Sequence, residues 1–190
     1  MSAAQIVRTP TRERILDAAE DVVLSDGVGA LTLDKAAARA GMSKGGVLYH
    51  FPSRTALVSA MVRRLADRFD AGLAAHRVDD GPGSLARAYV RECFAAPQGE
   101  DEERTEQLGA AALAAMACEP DLLQPLRDAF AGWQRDLEVD AADPVRATIA
   151  RLAADGLWLC ELFGLAGLTP QLRDQVRAEL ERMTRDEVAK

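Results

Sequence analysis

The stretch Thr32–Phe51 reads TLDKAAARAGMSKGGVLYHF, and it decides the fold. Thr32 is placed to cap the free backbone N–H groups of Leu33 to Lys35. Leu33, Ala36, Ala37 and Ala40 recur at helical spacing and mark an inward face. Gly41 stands where a helix commonly ends in a left-handed conformation that only glycine adopts without strain. Ser43 then caps a second short helix, Lys44 to His50, with Val47 and Phe51 facing inward, and Pro52 ends it. Two short helices joined by a glycine-containing turn of about three or four residues make a helix-turn-helix, whose second helix enters the DNA major groove. The competing reading is a helical hairpin with a glycine turn and no DNA role.

The rest of the chain supports an all-α protein. Its 190 residues suit one large domain or two small ones. With 48% hydrophobic and 28% charged residues it has the makings of a soluble core, and its scarcity of β-branched and aromatic residues argues against a sheet. No apolar run approaches the ~20 residues that span a bilayer. The longest, Leu108–Cys118, reads as a buried core helix. The first residues lack an apolar signal core, so a cytoplasmic protein is expected, with no membrane partner. Cys93, Cys118 and Cys160 lie far apart without CxxC spacing, which fits neither a disulfide framework nor a metal site. They read as small buried hydrophobes in a reducing compartment.

The net charge of -7 speaks against nucleic acid until its distribution is considered. Residues 1–70 carry 10 basic and 8 acidic groups, and residues 71–190 carry 13 and 22, giving +2 and -9. A mildly basic head on an acidic body is the asymmetry expected of a DNA-binding domain joined to a domain with another partner.

Reading outward, residues 1–10 form an arm with Arg8, and Thr11 is expected to cap a helix to about Ser25. Ser53 caps a long helix to about Ala75. Asp79–Gly83 is the clearest linker, and Ser84 starts the next helix. Ala96–Glu103 reads as an acidic loop before the alanine-rich helix to Cys118. Pro120 can open a helix to about Leu137, which Pro125 kinks or makes begin late. Asp143-Pro144 opens a helix through Leu165, and Thr169-Pro170 a last one to about Arg185. The expectation is about nine helices: a three-helix helix-turn-helix domain over 1–52 and a helical bundle over 53–190.

Thr32, Ala36-Ala37, Ala40-Gly41-Met42-Ser43, Gly46-Val47-Leu48-Tyr49-His50-Phe51 and Arg54-x-x-Leu57 together resemble the N-terminal domain of the TetR family of bacterial transcriptional repressors. The resemblance covers roughly residues 11 to 60 and fades beyond. It implies that Ser43, Lys44, Gly45, Tyr49 and His50 face DNA. Lys44 is expected on a base edge or a phosphate, and Tyr49 and His50 on phosphates. Gly45 and Gly46 remove side chains so that the backbone can come close, and Thr32 suits a phosphate at a helix N-terminus. Arg54, where the family usually has lysine, can clamp the same backbone. Plainer roles compete: a packed His50, a merely solvated Lys44, a Tyr49 that only packs.

A short reading helix calls for dimerisation, which doubles the contacts and reads a palindrome. The resemblance implies a homodimer formed by the last two helices. Their candidate interface residues are Ile149, Leu152, Gly156, Leu157, Cys160 and Phe163, with Leu172, Val176, Leu180 and Met183. The alternative is that these faces only close the chain's own core. By the same resemblance the middle helices enclose a pocket for an unidentified small-molecule effector. Its candidate lining is Met61, Leu65, Phe69, Phe94, Met116, Trp133 and Trp158, with Glu161 able to meet a lipophilic cation. The implied mechanism is a population shift that releases the double-stranded operator. The catalytic inventory is poor: two histidines, no nucleophile elbow, no phosphate loop. No cofactor, metal or enzyme activity is expected. The remaining alternative is a ligand-independent DNA-binding or protein-interaction module.

Overall fold

The computed structural model describes residues 10–118, 124–165 and 167–185, with all side chains in those ranges except 114–118. The expected arm, the helix start at Pro120, and the side chains of Met116 and Cys118 lie outside what is described. The described residues form nine α-helices and one 3-10 turn, with no strand. The helices are α1 (Thr11–Asp26), α2 (Leu33–Ala40), α3 (Lys44–His50), α4 (Arg54–His76), α5 (Ser84–Phe94), α6 (Glu100–Cys118), α7 (Gln124–Asp140), α8 (Pro144–Leu162) and α9 (Pro170–Met183); the 3-10 turn is Val28–Ala30. The all-α expectation holds.

The chain divides into two compact units, Met1–Arg63 with Gln107–Gln124, and Arg64–Glu106 with Pro125–Lys190. In the first, α1 packs on α2 and α2 on α3. Its core is apolar and small: Ile15, Leu16, Ala19 and Val22 from α1, Leu31, Ala36 and Ala37 around α2, Val47 from α3, then Phe51 and Leu57. In the second, α5 packs on α8 and α9, which also touch each other. Tyr89, Val90, Phe94, Trp133, Leu137, Ala147, Ala150 and Ala154 form its core. The alanines of α8 let α5 approach closely.

Several helix ends differ from expectation. Thr11 is the first helical residue, not a cap, and Pro10 before it makes no side-chain cap bond. Glu100–Glu103 belong to the first turn of α6, not to a loop. Carboxylates at a helix N-terminus face the positive end of its dipole, so an acidic run starts this helix where a loop was expected. Glu102 also accepts the backbone N–H of Gln98 at 2.6 Å. Helix α7 begins late, with Pro125 in its first turn, where a proline N–H is not needed.

Asp79–Gly83 is not a loose linker but a packed turn. Gly83 has φ 74°, and an added Cβ would lie 2.1 Å from the carbonyl oxygen of Thr184. Asp140 at the end of α7 serves as the missing cap of α5, accepting from the Leu85 N–H at 2.8 Å, the Ser84 hydroxyl at 3.3 Å and Arg77 at 2.8 Å.

Candidate nucleic-acid interface

The turn between α2 and α3 is built from the residues that announced it. Thr32 Oγ1 accepts from the Lys35 N–H at 3.1 Å, and Ser43 Oγ from the Gly46 N–H at 3.2 Å. Gly41 adopts φ 64°; its N–H donates to Ala38 O, and the Met42 N–H donates to Ala37 O. This paired closure satisfies the last carbonyls of α2 and fixes the direction in which the chain enters α3. Arg14 of α1 donates to the last carbonyl of α2, Ala40 O, at 3.1 Å.

Helix α3 buries one face and bares the other. Val47 is wholly buried, and Phe51 after the helix lies under the Arg12 guanidinium, 5.3 Å from the ring centroid. On the open side Tyr49 is 86% exposed, so its ring does not pack into the core. His50 is half-buried and meets the Tyr49 ring edge-on at 5.2 Å. Gly45 is exposed, and a Cβ there would meet nothing closer than Ser43 Oγ at 4.0 Å. The fold itself therefore does not require glycine at 45. The backbone there is left open to solvent. At Gly46 a Cβ would press on the flexible tip of Met42 at 3.2 Å.

Two of the expected cations are engaged inside the chain. Lys44 Nζ is 2.8 Å from Asp34 Oδ2 of α2, with both side chains more than half exposed. Arg54 is anchored more firmly: its Nε donates to Leu31 O at 2.9 Å and a terminal nitrogen to Val28 O at 3.1 Å. These bonds tie the start of α4 to the segment leading into α2. No sequence signal pointed to them, because the acceptors are backbone carbonyls more than twenty residues upstream.

In the second unit the α8 face splits. Val145, Ile149, Leu152, Leu159 and Phe163 are exposed at alternating steps of four and three, a continuous apolar stripe with Gly156 open between them. Leu172 of α9 is also exposed. Leu180 is only 6% exposed and belongs to the unit's own core. Leu157, Val176 and Met183 pack partly against that core, and Cys160 is half-buried.

The expected pocket residues are divided between the two units. Met61 is buried in the first unit. Leu65 and Trp158 are half-buried in the second. Phe94 and Trp133 belong to the core cluster, and Phe69 packs against it. Phe69, Tyr89 and Phe130 stand 4.6, 6.1 and 5.0 Å from the Trp133 ring. Trp133 Nε1 donates to Asp70 at 2.6 Å. Glu161 is paired within the chain. Arg173 donates to both its oxygens, at 2.5 and 3.0 Å, and also to Phe94 O while lying over the Phe94 ring.

Sequence reading missed Asp155, which accepts from the Tyr89 hydroxyl at 2.7 Å and from Arg151 at 3.1 Å. Burial raises the Asp155 carboxyl and the Tyr89 phenol above their ordinary ranges, and pushes the Cys93 thiol well up. Cys93 is buried, in the core beside Tyr89 and Phe94. A surface cleft of about 390 Å³ is lined by Val78, Asp79, Pro82, Arg87, Arg91 and Arg185, none of them expected. Among the described residues no His, Cys, Asp and Glu group has metal-holding geometry, and no helix is long and apolar enough to cross a membrane. His76 Nε2 lies 3.5 Å from Glu92 Oε2.

A glycine-turned pair of capped helices on a small apolar core, with one bare helix face, defines a helix-turn-helix head. Residues 15–61 match the family profile described as "Bacterial regulatory proteins, tetR family", and residues 83–185 match "Tetracyclin repressor-like, C-terminal domain". The chain belongs to the TetR family.

Among curated relatives it is similar to the HTH-type transcriptional regulator RutR of Escherichia coli K12, 38% identical over 80 residues, which are 42% of this chain and 38% of RutR. It is also similar to the HTH-type transcriptional regulator AlkX of Mycobacterium tuberculosis, 32% identical over 124 residues, 64% of this chain and 55% of AlkX. The chain thus spans well under two thirds of either relative. Among solved structures it resembles a TetR-family member from Streptomyces coelicolor A3 (26% identity, TM-score 0.70, covering 93% of this chain and 99% of that one). It also resembles the multidrug binding protein EbrR complexed with ethidium (27% identity, TM-score 0.67, 93% and 99% covered).

Proposed function

We propose that the chain is a DNA-binding transcriptional repressor that acts as a homodimer on a palindromic operator and is released by a small molecule held in its C-terminal part. Residues 1–52 would form the DNA-binding head and 53–190 the effector and dimerisation body. The observation that carries the reading is the bare face of α3. Tyr49 projects into solvent, and Gly45 leaves backbone open where the fold needs no glycine. A side chain with both a ring and a hydroxyl, held off the core, suits a phosphate contact that sets register. Lys44, five residues earlier at the start of α3, is the group for a base edge or a phosphate. Thr32 and Ser43 use their oxygens to cap α2 and α3, so their hydroxyl hydrogens remain for phosphate. Arg54 is a positioning residue, since its guanidinium holds the approach to α2.

The exposed stripe of α8 supports the dimer, because monomeric soluble proteins rarely bare a contiguous apolar face of this kind. The edge-on and tilted ring cluster of Phe69, Tyr89, Phe130 and Trp133 supports an aromatic effector, as does the similarity to EbrR, which is known in complex with ethidium, proflavin and malachite green. Effector release is a shift in conformational population, limited by the effector's difference in affinity for the two states.

Selection of bound duplexes from a randomised pool tests the proposal. Enrichment of a two-fold symmetric sequence is expected. Sequence-blind recovery contradicts the reading.

A further inference from the structure

The segment Ser43–Phe51 carries one permanent positive charge, Lys44, and that charge is already met inside the chain. Lys44 Nζ lies 2.8 Å from Asp34 Oδ2. Asp34 is in the first turn of α2, two residues after the Thr32 cap, and its side chain is 65% exposed beside the reading helix. The carboxylate therefore stands at the edge of the surface proposed to meet DNA. It has the same charge as a phosphate and occupies the same donor.

We propose that Asp34 is the internal counter-ion of Lys44 and holds down the chain's affinity for DNA. The inference rests on the reading that α3 docks on DNA. For Lys44 to reach a phosphate or a guanine edge, the pair must open. The released carboxylate then lies in the negative potential of the duplex and must recruit a cation from solution. A protein that neutralises a phosphate normally gains by releasing the DNA's condensed counterions. Here the cation taken up by Asp34 offsets part of that gain. Such a device weakens binding to any sequence, keeps the protein from being absorbed by bulk DNA, and lowers the free-energy difference an effector must supply for release. A plain structural role would act oppositely. A carboxylate in the first turn stabilises α2 through its dipole, so removing it would loosen the head and weaken binding.

Fluorescence anisotropy on a random-sequence duplex and on the selected duplex, over a salt series, tests this with four full-length chains: the parent, Asp34→Asn, Lys44→Ala and the double variant. Asp34→Asn is expected to tighten both duplexes about two- to fivefold, the span of an exposed ion pair. It should also steepen the logarithmic salt slope by about 1. In the Lys44→Ala background the same change should have almost no effect. Unchanged or weaker binding by Asp34→Asn would overturn the inference, and so would a full gain that persists without Lys44, since that would be general repulsion and not pairing. If the parent binds no duplex, the DNA-reading proposal fails and takes this inference with it. If the parent binds and Asp34→Asn matches it, this inference fails alone.

Discussion

Leu152→Glu should convert a dimer into a monomer, and the size of the effect can be worked from the exposed stripe of α8. Ile149, Leu152, Leu159 and Phe163 are 47%, 55%, 43% and 51% exposed. Complete burial of such a side chain is worth about 1.5–3 kcal/mol, so covering the remaining half contributes about 1 kcal/mol each. In a two-fold interface every substitution acts twice. Leu152→Ala should therefore cost about 2 kcal/mol, or about thirtyfold in the dimer dissociation constant. Leu152→Glu adds the desolvation of two carboxylates and should weaken the dimer roughly a hundredfold or more. Because Leu152 is already largely in water, the substituted chain should keep its helix content and lose only self-association. Sedimentation velocity across a dilution series reads the change, with circular dichroism as the check on folding. A Leu152→Glu chain that stays as dimeric as the parent, or a parent that is monomeric throughout, would refute the reasoning.

Three further predictions concern the second unit. Gly83→Ala should destabilise it by more than about 2 kcal/mol in denaturant melts, because a left-handed residue gains a Cβ that collides with Thr184 O. Asp140→Ala should cost about 1–2 kcal/mol in the same assay, by removing the acceptor that caps α5 from α7. Glu92 gives a pH signature. Burial chiefly raises its carboxyl above the ordinary range; His76 partly offsets this and Glu102 adds to it. Between about 4 and that raised value the folded chain keeps a proton that the unfolded chain has lost, so stability falls as pH rises through the window. Glu92→Gln should flatten that fall and leave stability below the window unchanged, as read from melting temperature against pH. An equal slope in both chains would argue against a raised Glu92 carboxyl.

The head was legible in the sequence because its signals are local. Thr32, Gly41 and Ser43 act on backbone groups three or four residues away, so the ends of α2 and the whole of α3 could be written from the string alone. The second unit was less legible because its specificity is carried by distant partners. Asp79–Gly83 has linker composition, yet Gly83 is required by Thr184 and Asp79 pairs with Arg87. Glu161 looked like a lone carboxylate on an apolar segment, but Arg173 from the next helix neutralises it. Leu180 shares the spacing of Leu172 and Val176, and only packing shows that it turns into the core. Arg54 has the charge expected of a phosphate contact, while its hydrogen bonds make it a brace for the α2 approach.

The central claim is that two heads read one symmetric site. Mass measurement of the complex formed on the selected duplex, set beside binding to the same duplex with one half-site scrambled, tests it most directly. The account predicts two chains per intact duplex and a large loss of affinity on the scrambled one. One chain per duplex, with equal affinity for both, would contradict it.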